Sequence, residues 1–325
     1  MATRRSDESL AEAARLYYVE EHTQDEVASR LGTTRSNVSR MLRNARARGI
    51  VRISISYPLA RQAHLEQQLV ETFGIREALV LAADAGADAL ERTADLAAGW
   101  LAEHVDDGQT LTVSWGRTLK AMAEQLDVDR AYDVTVVQLG GDLQLDPRLS
   151  GHELVREVAA KLGGQYSYLH APAILDSPQT VADLLANRSI AAEIRKAREA
   201  DLAMVGIGAF GYGFAAQIVE SAHLTAEERA RLESLEPAGD IAARFFDEDG
   251  RQIASPLRDR VLALELEELS QIPIVAAVTA GPEKARGLWG ALRGGLVDVV
   301  ICDQAVAAAA LHLERASEAP AVPSQ

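Results

Sequence analysis

Residues 111–122 read LTVSWGRTLKAM. A short apolar, β-branched run stops at Ser114-Trp115-Gly116, and a helix-like segment follows at once. A strand that breaks at a glycine and opens a helix leaves backbone N–H groups and a positive dipole end at the break, where an anion can sit. The Ser114 and Thr118 hydroxyls and the Arg117 guanidinium stand at that break. Such a turn suits the mouth of an active site and equally the grip of a sensor.

The same alternation extends through the rest of the chain. Runs such as ALVLAA, VTVVQLGG, LAMVGIG, IPIVAAVTAG and VDVVICD are separated by helical segments such as LERTADLAAGWLAEHV, GHELVREVAAKLGG, PEKARGLWGALRGG and DQAVAAAALHLERA. Short apolar strands between helices imply βαβ units and a doubly wound, mostly parallel sheet buried on both faces. In such sheets ligands bind at the carboxyl ends of the strands. Those ends carry Gly140 and Gly141 with Gln138 nearby, then Gly206, Gly208 and Gly211 among Phe210 and Tyr212, then Gly281 ahead of Glu283 and Lys284. One glycine there says little, because tight turns need it. Four such loops, with an arginine and a lysine at two helix starts, point to an anionic ligand.

Several chemistries lack their motifs. There is no dinucleotide fingerprint, no GxxxxGK[ST], no GxSxG, no HExxH and no CxxC. The seven histidines are scattered, so no metal site is expected, and no cofactor is implied. The one cysteine, Cys302, lies in an apolar run and reads as a buried, inert thiol in a reducing cytoplasm. No apolar run reaches the eighteen or so residues of a membrane helix, so no membrane partner is expected. The last residues, SEAPAVPSQ from Ser317, read as a disordered tail.

The charge is unevenly placed. The 325 residues carry −15 overall, yet residues 1–57 hold ten arginines against seven acidic residues. No acidic residue occurs from Val27 through Leu65, a stretch that holds eight arginines. An acidic body with one basic segment presents a small surface to a polyanion.

That segment has its own pattern. Ser9–Glu21 is amphipathic, with Leu10, Ala13, Ala14 and Tyr17 on one face. Thr23 and Glu26 form a capping box for a second helix, which Gly32 ends; Thr34 or Ser36 caps a third that runs to about Arg48 before Gly49. Ala28, Val38 and Met41 supply the contacts between these helices. Two short helices across a tight glycine turn form a helix-turn-helix, whose second helix enters the major groove. Arg35, Ser36, Asn37 and Arg40 lie toward its N-terminal end, where arginine suits guanine and asparagine suits adenine. Ser39, Arg43 and Arg46 are placed for phosphates. Gly49–Tyr57 alternates as one half-buried strand, either a wing or the edge of the next domain. A unit this small binds operators as a dimer on paired half-sites. Leu59–Phe73, with Leu65, Leu69 and Phe73 on one helical face, is either a linker or an oligomer seam.

Taken together, ARLYYVEEHTQDEVASRLGTTRSNVSRMLRNARARGIVRISI, VSWGRTL, VQLGG, DLAMVGIG, GDIAARFFDEDGR and AGPEKARGLWGALRGGLVDVVICD resemble the SorC family of sugar-responsive bacterial transcription regulators, particularly its DeoR-like members. The resemblance spans nearly the whole chain. It implies a small all-α helix-turn-helix domain, residues 1–57, and an α/β effector and oligomerisation domain, residues 58–325. The latter would be like the ribose-5-phosphate isomerase and glucosamine-6-phosphate deaminase folds. It further implies a homo-oligomer, dimer or tetramer, that binds double-stranded operator DNA and responds to a phosphorylated sugar or polyol. By position in the motifs, Ser114, Gly116, Arg117 and Thr118 would grip phosphate, and Gln138, Gly140 and Gly141 would line the sugar. Asp240 would accept hydroxyl hydrogen bonds and Lys284 would add charge, with Gly206 and Gly208 in the adjoining loop. Many members carry a glycine or threonine where this chain has Arg117; an arginine there serves a phosphate or carboxylate, or else a subunit contact.

The fold also houses sugar-phosphate isomerases and deaminases, which need a general base at the sugar carbons. Asp240 is the candidate, with Asp84 and Asp88 elsewhere in the sequence, but no acid–base pair is evident. Fold alone licenses no activity, and a catalytic domain has little use for a DNA-reading helix. The expectation is a regulator and not an enzyme.

Overall fold

The computed structural model describes residues 2–51, 59–82, 89–143 and 150–318, the side chains of residues 2–6 excepted. The chain divides into two compact units, Met1–Pro58 and Leu59–Gln325.

In the first unit, α1 (Ala2–Ala14) begins before Ser9 and runs into one π-helical turn, Arg15–Val19. That wider turn brings Leu16 into the core beside Leu10, Ala13 and Ala14, and leaves Tyr17 only partly buried, where straight helical periodicity places Tyr17 inside. The next helix, α2 (Gln24–Arg30), starts on the expected capping box: Glu26 donates its N–H to Thr23 Oγ1 at 3.4 Å, and Thr23 donates its own to Glu26 Oε2 at 2.8 Å. The turn follows at Gly32, whose φ of 61° suits glycine. Thr34, not Ser36, then caps α3 (Arg35–Ala47), accepting from the Asn37 N–H. Val38, Leu42 and Ala45 pack on Val27 and Ala28, with Met41 partly buried at the margin. Most of the Gly49–Tyr57 strand lies outside the described residues.

In the second unit, residues 60–62 run antiparallel beside β1 (Glu77–Leu81), Gln62 donating to Val80 and Ala82 to Ala60, each at 2.8 Å. Helix α4 (Ala63–Phe73) then sinks Leu65 and Leu69 into the unit's own core, so it is part of this body and no free linker. Seven parallel strands form the main sheet in the order β1-β9-β8-β5-β2-β3-β4. The central members are β2 (Thr110–Val113), β3 (Thr135–Gln138), β5 (Leu202–Gly206), β8 (Val275–Thr279) and β9 (Val299–Asp303). Their side chains are buried almost throughout, as a sheet covered on both faces requires.

One face carries α5 (Ala89–His104), α6 (Arg117–Gln125) and α7 (Gly151–Leu162). The core on the other face draws on α4, α8 (Pro178–Leu185), α9 (Arg188–Arg198), α10 (Gly213–Ser221), α11 (Ala226–Ser234), α12 (Leu266–Leu269), α13 (Ala285–Arg293) and α14 (Gln304–Glu318). From β2 the chain winds outward through β3 to β4 (Gln165–Ser167), then returns to the other side of β2 with β5 and proceeds to β8 and β9. The reversal falls between β2 and β5. At such a switch point the loops above two neighbouring strands part, and a crevice opens.

A separate two-stranded hairpin, β6 (Gly239–Ile241) and β7 (Arg244–Phe246), was not anticipated from the sequence. Its turn residues Ala242 and Ala243 have φ of 51° and 63°, the left-handed geometry of a two-residue hairpin turn. Ser317 and Glu318, read above as tail, belong to the last turn of α14, and residues 319–325 lie outside the description.

Candidate functional site

A cavity opens where the switch point places it. The loop after β2, Trp115 to Leu119, forms one wall, and the loop after β5, Gly206 to Ala209 with Tyr212 to Ala215, forms another. Asp240 and Ala242 of the hairpin and Glu283 and Lys284 before α13 complete it.

The first wall arises because the chain leaving β2 turns into α6 at Gly116, whose φ of 142° only glycine adopts readily. α6 starts there without a side-chain cap, so its first N–H groups are open to the cavity. α10 likewise starts at Gly213 with no side-chain cap, whereas α13 continues a tight turn, Pro282–Lys284, in which Lys284 donates its N–H to Gly281 and Ala285 donates to Pro282. Two positive helix ends therefore border one space. Arg117 is exposed at its rim and, among the described residues, makes no ion pair. Burial holds the Lys284 ammonium below its ordinary value; Glu283 pulls it back up and Arg117 presses it further down.

The same cavity holds a buried carboxylate. Asp240 is only 4% exposed. Burial raises its pKa from 3.8 to about 6, although the Ala243 N–H and the charge of Lys284 pull the other way. Oδ2 accepts the Ala243 N–H at 3.2 Å, and Oδ1 has no hydrogen-bond partner among the described residues. Gly208 lies against it so closely that an added Cβ would sit 2.0 Å from Oδ1. The hairpin carrying Asp240 is braced by Arg244, itself buried, which donates to the carbonyls of Arg258, Val261, Ala263 and Leu264 and pairs with Glu265 at 2.8 Å. The arrangement can hold a ligand with an anionic end toward Arg117 and Lys284 and hydroxyl donors toward Asp240.

Of the residues singled out in the sequence, Gly116, Arg117, Thr118, Gly206, Gly208, Asp240 and Lys284 line this cavity. Four lie outside its lining. Ser114 is buried beneath the loops, its Oγ accepting from the Gly206 N–H at 3.2 Å and so tying the ends of β2 and β5 together. The Gln138 side chain is buried beside α7, its Oε1 accepting the Leu169 N–H. Gly140 and Gly141 are pressed against Ala263 and Pro172, where a Cβ would approach within 2.5 and 2.4 Å. Those two glycines are explained by backbone contact between loops. Asp84 and Asp88 lie outside the described residues. Sequence reasoning passed over Ala242 and noted Glu283 only as the neighbour of Lys284; Tyr212, noted there only as interleaved aromatic, stands 63% exposed at the mouth between Gly211 and Gly213, both at positive φ.

On the first unit, α3 turns Val38, Leu42 and Ala45 inward and Arg35, Ser36, Arg40, Arg43 and Arg46 outward, with Asn37 and Ser39 half-buried at the flanks. A shallow polar concavity runs along Ser36, Asn37, Ser39, Arg40 and Arg43. Arg35 stands 3.9 Å from Asp25 of α2. An exposed row of guanidiniums on the second helix of the motif is the geometry that enters a major groove.

Comparison with known proteins bears on both sites. Residues 57–312 match a family described as "Putative sugar-binding domain", and residues 11–48 match sigma-70 region 4. The chain is 29% identical to the sorbitol operon regulator of Klebsiella pneumoniae over 92% of its own length and 96% of that protein's. It is 30% identical to the deoxyribonucleoside regulator of Bacillus subtilis strain 168, over 93% and 96%. The crystal structure of the full-length Klebsiella pneumoniae regulator SorC aligns with a TM-score of 0.71 at 28% identity, covering 94% of this chain and 99% of that one. The sugar-binding domain of a transcriptional repressor from Vibrio fischeri aligns at 0.72 and 29% identity, covering 78% and all of the second chain.

Proposed function

The chain belongs to the SorC family of sugar-responsive transcription regulators, and on that premise we propose that its cavity takes a phosphorylated sugar or polyol while α3 reads operator DNA. The chain is a sugar-responsive DNA-binding regulator, and its relatives are regulators and not enzymes. In this reading residues 1–57 form the DNA-binding domain and residues 58–325 the effector and oligomerisation domain. Arg35, Ser36, Asn37, Ser39, Arg40, Arg43 and Arg46 face DNA. Gly116, Arg117, Thr118, Gly206, Gly208, Asp240 and Lys284 hold the effector, and Ser114 fixes the loops that form the cavity.

The observation that carries the effector assignment is the convergence of two uncapped helix starts with Arg117, Lys284 and one buried carboxylate on a single cavity. A phosphate suits the first group of donors and a hydroxyl suits the second. A neutral sugar would leave the positive border unmatched. Specific recognition from so small a helix-turn-helix calls for paired half-sites, so the active species is a homo-oligomer. Operator binding places the protein in the cytoplasm, and no described helix is long and apolar enough to cross a membrane.

The test titrates purified full-length protein with sugars, polyols and their phosphate esters, following thermal stability, operator affinity and turnover together. Phosphate esters should shift stability and operator affinity without being consumed. A response confined to unphosphorylated compounds would remove the phosphate from the reading, and turnover at enzyme-like rates would overturn the sensor itself.

A further inference from the structure

The Asn37 amide is already engaged at both ends. Its Nδ2 donates to Thr33 Oγ1 at 2.7 Å, and its Oδ1 accepts from Arg40 Nη2, also at 2.7 Å. Thr33 belongs to the turn after α2, held by its N–H to the Ala28 carbonyl at 2.9 Å. A chain of hydrogen bonds therefore runs from the fixed turn through Asn37 to the Arg40 guanidinium. At about 100° per residue, Ser36, Arg40 and Arg43 fall in one row opposite the buried residues, and Asn37 falls roughly a quarter-turn to the side. The residue type that suits adenine is thus turned from the centre of the exposed face, and both ends of its amide are occupied.

We propose that Asn37 is a positioning residue that aims Arg40 at a guanine, and that Arg40 and Arg43 read the bases of the half-site. The proposal rests on the assignment of α3 as the DNA-reading helix. Its chemistry follows from the guanidinium's five N–H groups: one goes to Asn37, and the terminal fork keeps a hydrogen on each Nη for the O6 and N7 of guanine. An arginine on a flexible stem loses rotamer freedom when it docks, and a partner that already holds it in place lowers that cost. Arg43, one turn further along the same row, is better placed for a base edge than for a phosphate, whereas Arg35, Ser39 and Arg46 on the opposite flank suit the backbone. Among the described residues no carboxylate lies in ion-pair contact with Arg40 or Arg43, so neither guanidinium must break a pair to reach DNA.

The experiment selects bound sequences from a randomised duplex pool with the full-length protein and with R40A, N37A and N37D, circular dichroism confirming the fold of each. R40A should lose preference at one guanine of the half-site, by between about fivefold and about a hundredfold. N37A should lose preference at that same position and at no other. N37D keeps an acceptor for Arg40, so it should bind more weakly overall yet retain the guanine. Loss in N37A of an adenine preference that R40A keeps would show that Asn37 reads a base itself, and an unchanged preference in N37A would likewise overturn the proposal. Loss of guanine in N37D would do the same. If R40A selects the same sequences as the parent protein, α3 is not read through this face and the underlying assignment fails instead.

Discussion

Replacing Asp240 by asparagine should make the protein more stable at neutral pH while removing its response to effector. The carboxyl is buried, one of its oxygens lacks a partner, and its pKa is lifted from 3.8 to about 6. Between those values the folded chain keeps a proton that the unfolded chain has released, so stability falls as pH rises through the interval. At 1.36 kcal/mol for each pH unit, ionised Asp240 costs the fold about 3 kcal/mol above pH 6 and nothing below pH 3.8. Asparagine keeps an oxygen for the Ala243 N–H and carries no charge, so D240N should recover about 2–3 kcal/mol near pH 7.5 and close to zero near pH 4. The three tryptophans, Trp100, Trp115 and Trp289, all lie in the second unit, so urea denaturation followed by their fluorescence reports the relevant body. The difference between the two proteins at each pH isolates Asp240 from other carboxylates. A D240N protein that is less stable at neutral pH, or a gain of equal size at both pH values, would refute the reasoning.

Arg117→Ala and Lys284→Ala should each weaken a phosphorylated effector by about 10- to 100-fold, the effect of one charged hydrogen bond, and leave operator affinity in the absence of effector unchanged; isothermal titration and electrophoretic mobility shifts measure the two. Gly208→Ala places a methyl 2.0 Å from Asp240 Oδ1 and 3.2 Å from the Ala215 Cβ, so the carboxylate must move. Effector affinity should fall at least about tenfold, with some 1–3 kcal/mol of stability lost, and retention of full affinity in the same titration would show that Asp240 does not touch the ligand. Thr23→Ala removes the capping box of α2 and should cost about 1 kcal/mol in the first unit; thermal melts of that unit's helical signal, alongside a mobility-shift assay, would detect it.

The parts of this fold that a sequence displays are those with a strong period. β2, β3, β5, β8 and β9 announce themselves as short apolar runs because both faces of the sheet are covered, and Thr23 to Gly49 spells out caps and stops in order. β4 is Gln165-Tyr166-Ser167, an edge strand with no apolar run to mark it. The β6–β7 hairpin turns on two alanines in the left-handed region, where asparagine and glycine are the usual signal. Asp240 therefore stood out only through resemblance to a family motif. Gly140 and Gly141 misdirect for the opposite reason: a glycine that admits a neighbouring loop and a glycine that admits a ligand look the same in a sequence, and only the Ala263 and Pro172 contacts tell them apart. Arg117 and Gly116 were readable because strand, break and helix start are consecutive. Leu16 was not, because nothing in the pattern of α1 foretells a π-helical turn.

Arg244 gives the ligand end of the molecule a stereochemical consequence. Its guanidinium fastens the hairpin to four carbonyls of the 258–264 segment, and Asp240 Oδ1 fills the space that a side chain at position 208 would take. A hydroxyl that meets this carboxylate must arrive with the right configuration, because the acceptor cannot follow one that is inverted. An epimer would forfeit the bond and leave a buried oxygen unmatched, a difference of about 1–3 kcal/mol, or five- to a hundred-fold in affinity. In the proposed reading, handedness at one sugar carbon thus depends on an arginine that lies outside the cavity lining.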